Sequence, residues 1–203
     1  MITFRSRLIP LTILLTLIFS FIAKEGKTMP GIDGKKVVMI IASKNFRDEE
    51  LQKPMSILKK QGAKVTIASS SLKVVTGMLG TKVIPDILIK DVNVASYDAV
   101  IFVGGVGAAE YWDDPVAHNI ARGAVRQNKI LCAICIAPVT LANSGVLKGK
   151  KATVWKSEKE KIEAKGAIYT GTGVQVDGRI ITADSPASAE RFGEMIVKAL
   201  SSQ

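Results

Sequence analysis

The chain is poor in the residues from which metal-bound or disulfide-bound scaffolds are made. Its 203 residues include two cysteines, Cys132 and Cys135, and one histidine, His118. Two thiols cannot form a disulfide framework, and two Cys with one His fall short of the four ligands of a structural zinc site. Aromatic residues amount to only 5%, too few to interleave with bases as a stacking platform for single-stranded nucleic acid. Acids are the minority charge, 18 Asp and Glu against 28 Lys and Arg, for a net +10. The bases are scattered, with small knots at Lys35-Lys36, Lys59-Lys60 and Lys148, Lys150 and Lys151, so they read as a solvated surface with no specific nucleic-acid face. A hydrophobic fraction of 47% with 23% charged residues excludes disorder and low-complexity arrays. What is present is enough apolar material for one domain with its own core.

An uncharged, strongly apolar stretch of sixteen residues runs from Leu8 to Ala23 (LIPLTILLTLIFSFIA), preceded by Arg5 and Arg7. A basic start followed by an apolar run resembles a secretory signal or a signal anchor. As a helix it would rise about 24 Å, short of the ~30 Å hydrocarbon core, with flanking residues able to snorkel. Phe21 stands where a cleavage site wants a small residue. Residues 1–30 are therefore read as a signal peptide or an N-terminal membrane anchor, with membrane contact through residues 8–23. Translation from Met29 would instead leave a complete cytoplasmic domain. Residues 31–203 form the domain.

Within that domain, Lys36–Ala42, Lys64–Ser69, Ala99–Val103 and Lys129–Ile134 are short continuous apolar runs, the pattern of strands buried on both faces of a parallel sheet. Helical spacing predicts helices over Glu49–Gln61 with Asp48 as N-cap, over Pro115–Gln127, over Ala137–Ser144 and over Ser188–Leu200. A strand is expected at 152–155, a short helix at 157–164, and a strand pair over 174–183 turned at Asp177-Gly178. Residues 70–97 read as irregular, with strand-like pieces at 73–76 and 84–89. Strands alternating with helices mean an α/β domain with a mostly parallel sheet.

In such a sheet reactive groups sit beyond the carboxyl ends of the strands. Glu50 falls in the first helical turn after strand one, Gly104-Gly105 follow the AVIFV strand, and Cys135 follows the KILCAI strand and opens a helix through Ile136, Ala137 and Pro138. A sharp strand-to-helix turn exposes a sulfur, and a helix N-terminus favours thiolate over thiol. A carboxyl held beside that sulfur in a closed pocket should keep its proton and donate it in a hydrogen bond. Cys132 and Cys135 form a C-x-x-C. Three extended residues span about 10 Å, beyond the roughly 7 Å limit for bridging, and Cys132 reads as a packing residue.

The segments FRDEEL (46–51), YDAVIFVGGVGA (97–108), AICIAP (133–138), LANSGVLKGKKAT (141–153) and VDGRIITADSP (176–186) together resemble the DJ-1/PfpI superfamily. The resemblance implies a flavodoxin-like sandwich with helices on both faces of the sheet, homodimeric and with no metal or cofactor. It implies a reactive elbow cysteine at Cys135, a partner glutamate at Glu50, and an oxyanion pocket from the N–H groups of Gly105 and Ile136. It also implies a small reactive carbonyl as substrate, in glyoxalase- or deglycase-like chemistry. The alternative is a redox-sensing or stress-protective protein oxidised at Cys135; a cysteine peptidase is the least supported. The chain departs from the pattern where peptidase-like members place a histidine after the nucleophile, here Ile136. It departs again where DJ-1-like members carry a histidine in the strand after the elbow helix, here Trp155, and an arginine near the pocket, here Asp184. Trp155 is expected either to narrow the mouth of the site or to sit in the core. His118 reads as a surface or packing residue, so relay through imidazole is missing.

Overall fold

The computed structural model describes residues 1–2 and 31–202; the apolar segment 8–23, with its expected export or anchoring role, lies outside the described residues. The apolar runs form strands and the amphipathic stretches between them form helices, in the order β1 (Lys36–Ile40), α1 (Asp48–Lys60), β2 (Lys64–Ser69), β3 (Val75–Thr76), β4 (Lys82–Val83), β5 (Ile87–Leu88), β6 (Ala99–Phe102), α2 (Pro115–Arg126), β7 (Ile130–Ile134), α3 (Pro138–Asn143), β8 (Lys151–Ala152), α4 (Lys159–Glu163), β9 (Ile168–Tyr169), β10 (Val174–Asp177), β11 (Ile180–Ala183) and α5 (Ala189–Ser201). The central sheet has the order β10-β11-β7-β6-β1-β2-β5. All of its pairings are parallel except β10 with β11, a hairpin turned at Gly178.

Why the central strands read as unbroken apolar runs is now visible. Side chains alternate between faces, and both faces are covered. Val37, Met39, Ala99, Ile101, Ile130 and Cys132 enter one core, closed by Leu51 and Leu58 of α1 and Phe192, Ile196 and Leu200 of α5. Val38, Ile40, Val100, Phe102, Leu131 and Ala133 enter the other, closed by Ala117 and Ile120 of α2, Leu141 of α3 and Ile162 of α4. Fully burying each large aliphatic side chain contributes about 1.5–3 kcal/mol. The α1–α5 contact is close: a β-carbon at Gly193 would stand 3.0 Å from the Pro54 α-carbon. Pro54, inside α1, lacks the N–H that would otherwise bond the Glu50 carbonyl.

Two local expectations are corrected. Asp48 does not cap α1. Arg47 holds the cap position, and the buried Asp48 carboxylate accepts N–H bonds from Leu79 and Thr81, each at 2.8 Å, tying down the 77–81 loop. The strand expected at 152–155 ends at Ala152 and pairs with β9, outside the central sheet. Its continuation leaves the ladder because the Thr153 N–H is taken by Thr182 Oγ1 at 2.9 Å and the Trp155 N–H by the Cys135 carbonyl at 2.8 Å.

Candidate active site

At the carboxyl end of β7 the chain turns sharply. Cys135 adopts φ +63, a left-handed conformation that costs a non-glycine residue roughly 1–3 kcal/mol and persists only where surroundings over-determine it. The surroundings are backbone hydrogen bonds. The Cys135 N–H donates to the Ala183 carbonyl of β11 at 2.9 Å, and its carbonyl accepts from Trp155 N–H. The next carbonyl, Ile136, accepts from the Trp112 indole at 3.2 Å and from the Val139 N–H at 3.2 Å. Helix α3 follows at once with Pro138 at its first position, where the missing N–H has no intrahelical partner.

Gly104 is the junction of the site. A β-carbon there would stand 2.4 Å from Cys135 Cβ, 2.4 Å from Glu50 Oε2 and 2.6 Å from the Ile134 carbonyl. Only glycine lets the sulfur and the carboxyl approach across the backbone. Gly105 follows with φ +95, pressed against the Asn45–Arg47 backbone, while the Gly104 carbonyl accepts the Arg47 N–H at 2.9 Å. The turn after β6 is thereby tied to the start of α1. The N–H groups of Gly105 and Ile136 both point at the Cys135 sulfur.

The electrostatics correct one expectation. Cys135 is 8% exposed and Glu50 is fully buried. Burial pushes the Glu50 carboxyl up to about 8; the neighbouring thiol and the Arg47 charge oppose this only in part. Among the described residues no N–H or hydroxyl closes a well-formed hydrogen bond on either Glu50 oxygen, so the protonated carboxyl is the group with a proton to give. Burial, and then the Glu50 charge, push the Cys135 thiol up to about 12; the Gly105 and Ile136 amides pull it down by less. The sequence predicted a thiol ionised by the helix end. A helix of six residues offers little dipole, and desolvation outweighs it.

The structure therefore brings Cys135, Glu50, Gly105 and Ile136 together and leaves the other candidates outside. Cys132 is fully buried inside β7, and both cysteines are free. Asp184 accepts from Ser185 Oγ and Ser188 Oγ, each at 2.7 Å. Trp155 is 43% exposed, which removes the core alternative, and its backbone serves the elbow. His118 Nε2 lies 2.7 Å from the Trp112 carbonyl and must carry its proton there. Trp112 itself is marked by no motif or periodicity; only the long-range fold shows its link to the elbow. Cavities of about 420, 350, 300 and 290 Å³ open elsewhere, and none of these four is lined by Cys135 or Glu50. The site is a tight, nearly closed notch.

The DJ-1/PfpI family model matches residues 35–199. The chain belongs to the DJ-1/PfpI family. An uncharacterized protein of Methanocaldococcus jannaschii is 41% identical over 198 residues, covering 96% of this chain and 97% of its own. A deglycase of Pyrococcus horikoshii is 31% identical, covering 80% and 98%. A glutathione-independent glyoxalase of Caenorhabditis elegans is 26% identical, covering 82% and 89%. Among solved structures, a ThiJ/PfpI domain protein from Brachyspira murdochii superposes with a TM-score of 0.82 at 28% identity, covering 84% of this chain and 99% of that one. The fold is the flavodoxin-like sandwich of this family, and DJ-1/PfpI relatives include glyoxalase and deglycase proteins.

Proposed function

We propose that the protein converts small α-oxoaldehydes, with Cys135 as nucleophile and Glu50 as the proton carrier. The observation that carries this reading is the approach of a buried, proton-bearing carboxyl to a thiol across Gly104, with two backbone amides aimed at the sulfur. The pair sheds one proton near pH 8 and holds the second to about pH 12. The proton that leaves first is that of Glu50; its carboxylate then takes the thiol proton as the sulfur attacks, and the Gly105 and Ile136 amides stabilise the charge that develops there. The thiolate adds to the aldehyde carbon; the carbonyl π pair moves to oxygen, which takes the Glu50 proton, and a hemithioacetal forms. Glu50 carboxylate then removes the proton from the former aldehyde carbon and returns it to the neighbouring carbon, while the hydroxyl proton passes to the neighbouring oxygen. The product is a 2-hydroxyacyl thioester. Water cleaves it to the 2-hydroxy acid and the free thiol, so the substrate's own carbons are oxidised and reduced and no external oxidant enters. The nearly closed notch suits a substrate of a few heavy atoms.

Conversion of methylglyoxal by the wild type, Cys135→Ser and Glu50→Gln tests this. Turnover in the wild type that is lost in both variants supports the reading, and no wild-type turnover overturns it. A second reading, oxidation sensing at Cys135, is favoured by one observation: the sole imidazole, His118, is engaged at Trp112 and not at the sulfur. Selective peroxide oxidation of Cys135 without aldehyde turnover is its signature.

The expected homodimer is assigned to the outer face of the β3–β4 hairpin. Val75 and Val83 pair and pack inward, while Leu72, Val74 and Ile84, which flank the two strands, are all exposed. Ile84→Glu should then yield monomer in sedimentation. Export or anchoring by residues 8–23 is tested by mass spectrometry of the N-terminus and by membrane fractionation.

A further inference from the structure

We infer that Trp112 is a positioning residue that keeps the two amides facing Cys135 in register; the inference rests on the site proposed above but not on its substrate. Gly105, which carries one amide, opens a 3-10 helix over Val106–Tyr111, and Trp112 closes that segment. The other amide belongs to Ile136. Trp112 joins the two. Its indole N–H donates to the Ile136 carbonyl at 3.2 Å, at the start of the elbow helix. Its own carbonyl accepts Asn143 Nδ2 at 2.9 Å, from the last residue of that same helix α3, and the His118 Nε2–H at 2.7 Å, from α2. Asn143 also reaches Asp113 Oδ1 at 3.1 Å. One residue thus ties both ends of α3 to the segment that begins at Gly105.

A tie of this kind has a specific consequence. The Ile136 carbonyl and N–H belong to one residue, so holding the carbonyl fixes the backbone that aims the N–H at sulfur. The two amides sit on segments about thirty positions apart in sequence, and strand pairing alone leaves each loop free to shift at its tip. Misplacement by a fraction of an ångström weakens a donor to a developing charge more than it disturbs the fold. Lys161, which pairs with Glu158, stands over the Trp112 ring at 5.0 Å and makes no hydrogen bond to Trp112.

Trp112→Phe keeps an aromatic ring at this position and removes the indole donor together with the five-membered half of the bicycle. We expect methylglyoxal kcat to fall about three- to tenfold, the worth of one such hydrogen bond, with KM unchanged. We also expect the iodoacetamide alkylation of Cys135 to slow by a similar factor at pH 7.5, its pH midpoint moving upward. Lys161→Ala should change neither. Alkylation separates the two claims: a wild type without turnover whose alkylation is still slowed by Trp112→Phe sinks the proposed reaction and keeps the positioning role. Wild-type kinetics and an unshifted alkylation profile in a folded Trp112→Phe variant overturn the positioning role. Should that variant fail to fold, Asn143→Ala, which leaves the indole in place and removes the bond from α3 to the Trp112 carbonyl, carries the same readings; an unchanged alkylation profile there overturns the role.

Discussion

The first turn of α1 presents two buried carboxyls to two different regions of the molecule. On the side facing the 77–81 loop, Asp48 receives the Leu79 and Thr81 amides; burial raises its pKa, but these bonds and that from the Thr81 hydroxyl outweigh it and hold the group below the usual carboxylate range. On the side facing the elbow, Glu50 meets only the Cys135 thiol and the Gly104 backbone, poorly aligned donors that offset little of its burial, and is pushed up to about 8. The same helix, two residues apart, buries one acid as an anion and the other as a neutral acid. Burial alone does not decide protonation; the supply of donors does. The satisfied carboxylate is structural, and the unsatisfied one has a proton free for chemistry.

That contrast is most easily broken at Glu50. Glu50→Gln should lower aldehyde turnover by about 10²–10⁴-fold, the usual worth of a general acid–base group, and yet stabilise the protein at neutral pH. The sign follows from linkage. Between pH 4.5 and about 8 the unfolded chain has released the Glu50 proton and the folded chain keeps it, so folding stability falls as pH rises through that window, by up to about 1.4 kcal/mol per unit. Glutamine removes this loss, on the order of 3 kcal/mol at pH 7. Urea titrations of both proteins at pH 5 and pH 8 check it, and a variant less stable at pH 8 than the wild type would contradict a neutral Glu50.

Gly104→Ala should be the next largest effect. With 2.4 Å left for the new carbon, overpacking of at least about 1–3 kcal/mol is expected, together with loss of Cys135 alkylation as the carboxyl and thiol are pried apart. Asp48→Ala should cost about 1–3 kcal/mol by stranding two amides, visible as faster hydrogen exchange at Leu79 and Thr81, while the pH midpoint of Cys135 alkylation stays where it was. Movement of that midpoint would mean that the two faces of the turn are coupled. The smallest expected change is in the wild type itself: the alkylation rate should climb about tenfold per pH unit below pH 8 and level off above it.

Much of the fold was legible in the sequence. The runs at 36–42, 64–69, 99–103 and 129–134 became β1, β2, β6 and β7 within two residues at either end, because a strand buried on both faces needs apolar residues at every position. Errors fell where the backbone bonds to something distant. Thr153 and Trp155 leave their strand to meet Thr182 and Cys135, and Asp48 abandons the helix end for amides some thirty residues away. Trp112 was silent for the same reason, since its partners lie 24 and 31 residues further on.

The sequence by itself determined the alternation of strands and helices, the elbow with its cysteine, and the presence of acids at the start of α1. Those depend on local period, on turn residues and on what a helix start tolerates, all of which act over a few neighbours. Which of three adjacent acids meets the sulfur, whether it holds a proton, and how deeply the thiol is desolvated were decided only when segments about eighty-five residues apart closed on Gly104. Desolvation and donor supply depend on every group within a few ångströms, whatever its place along the chain.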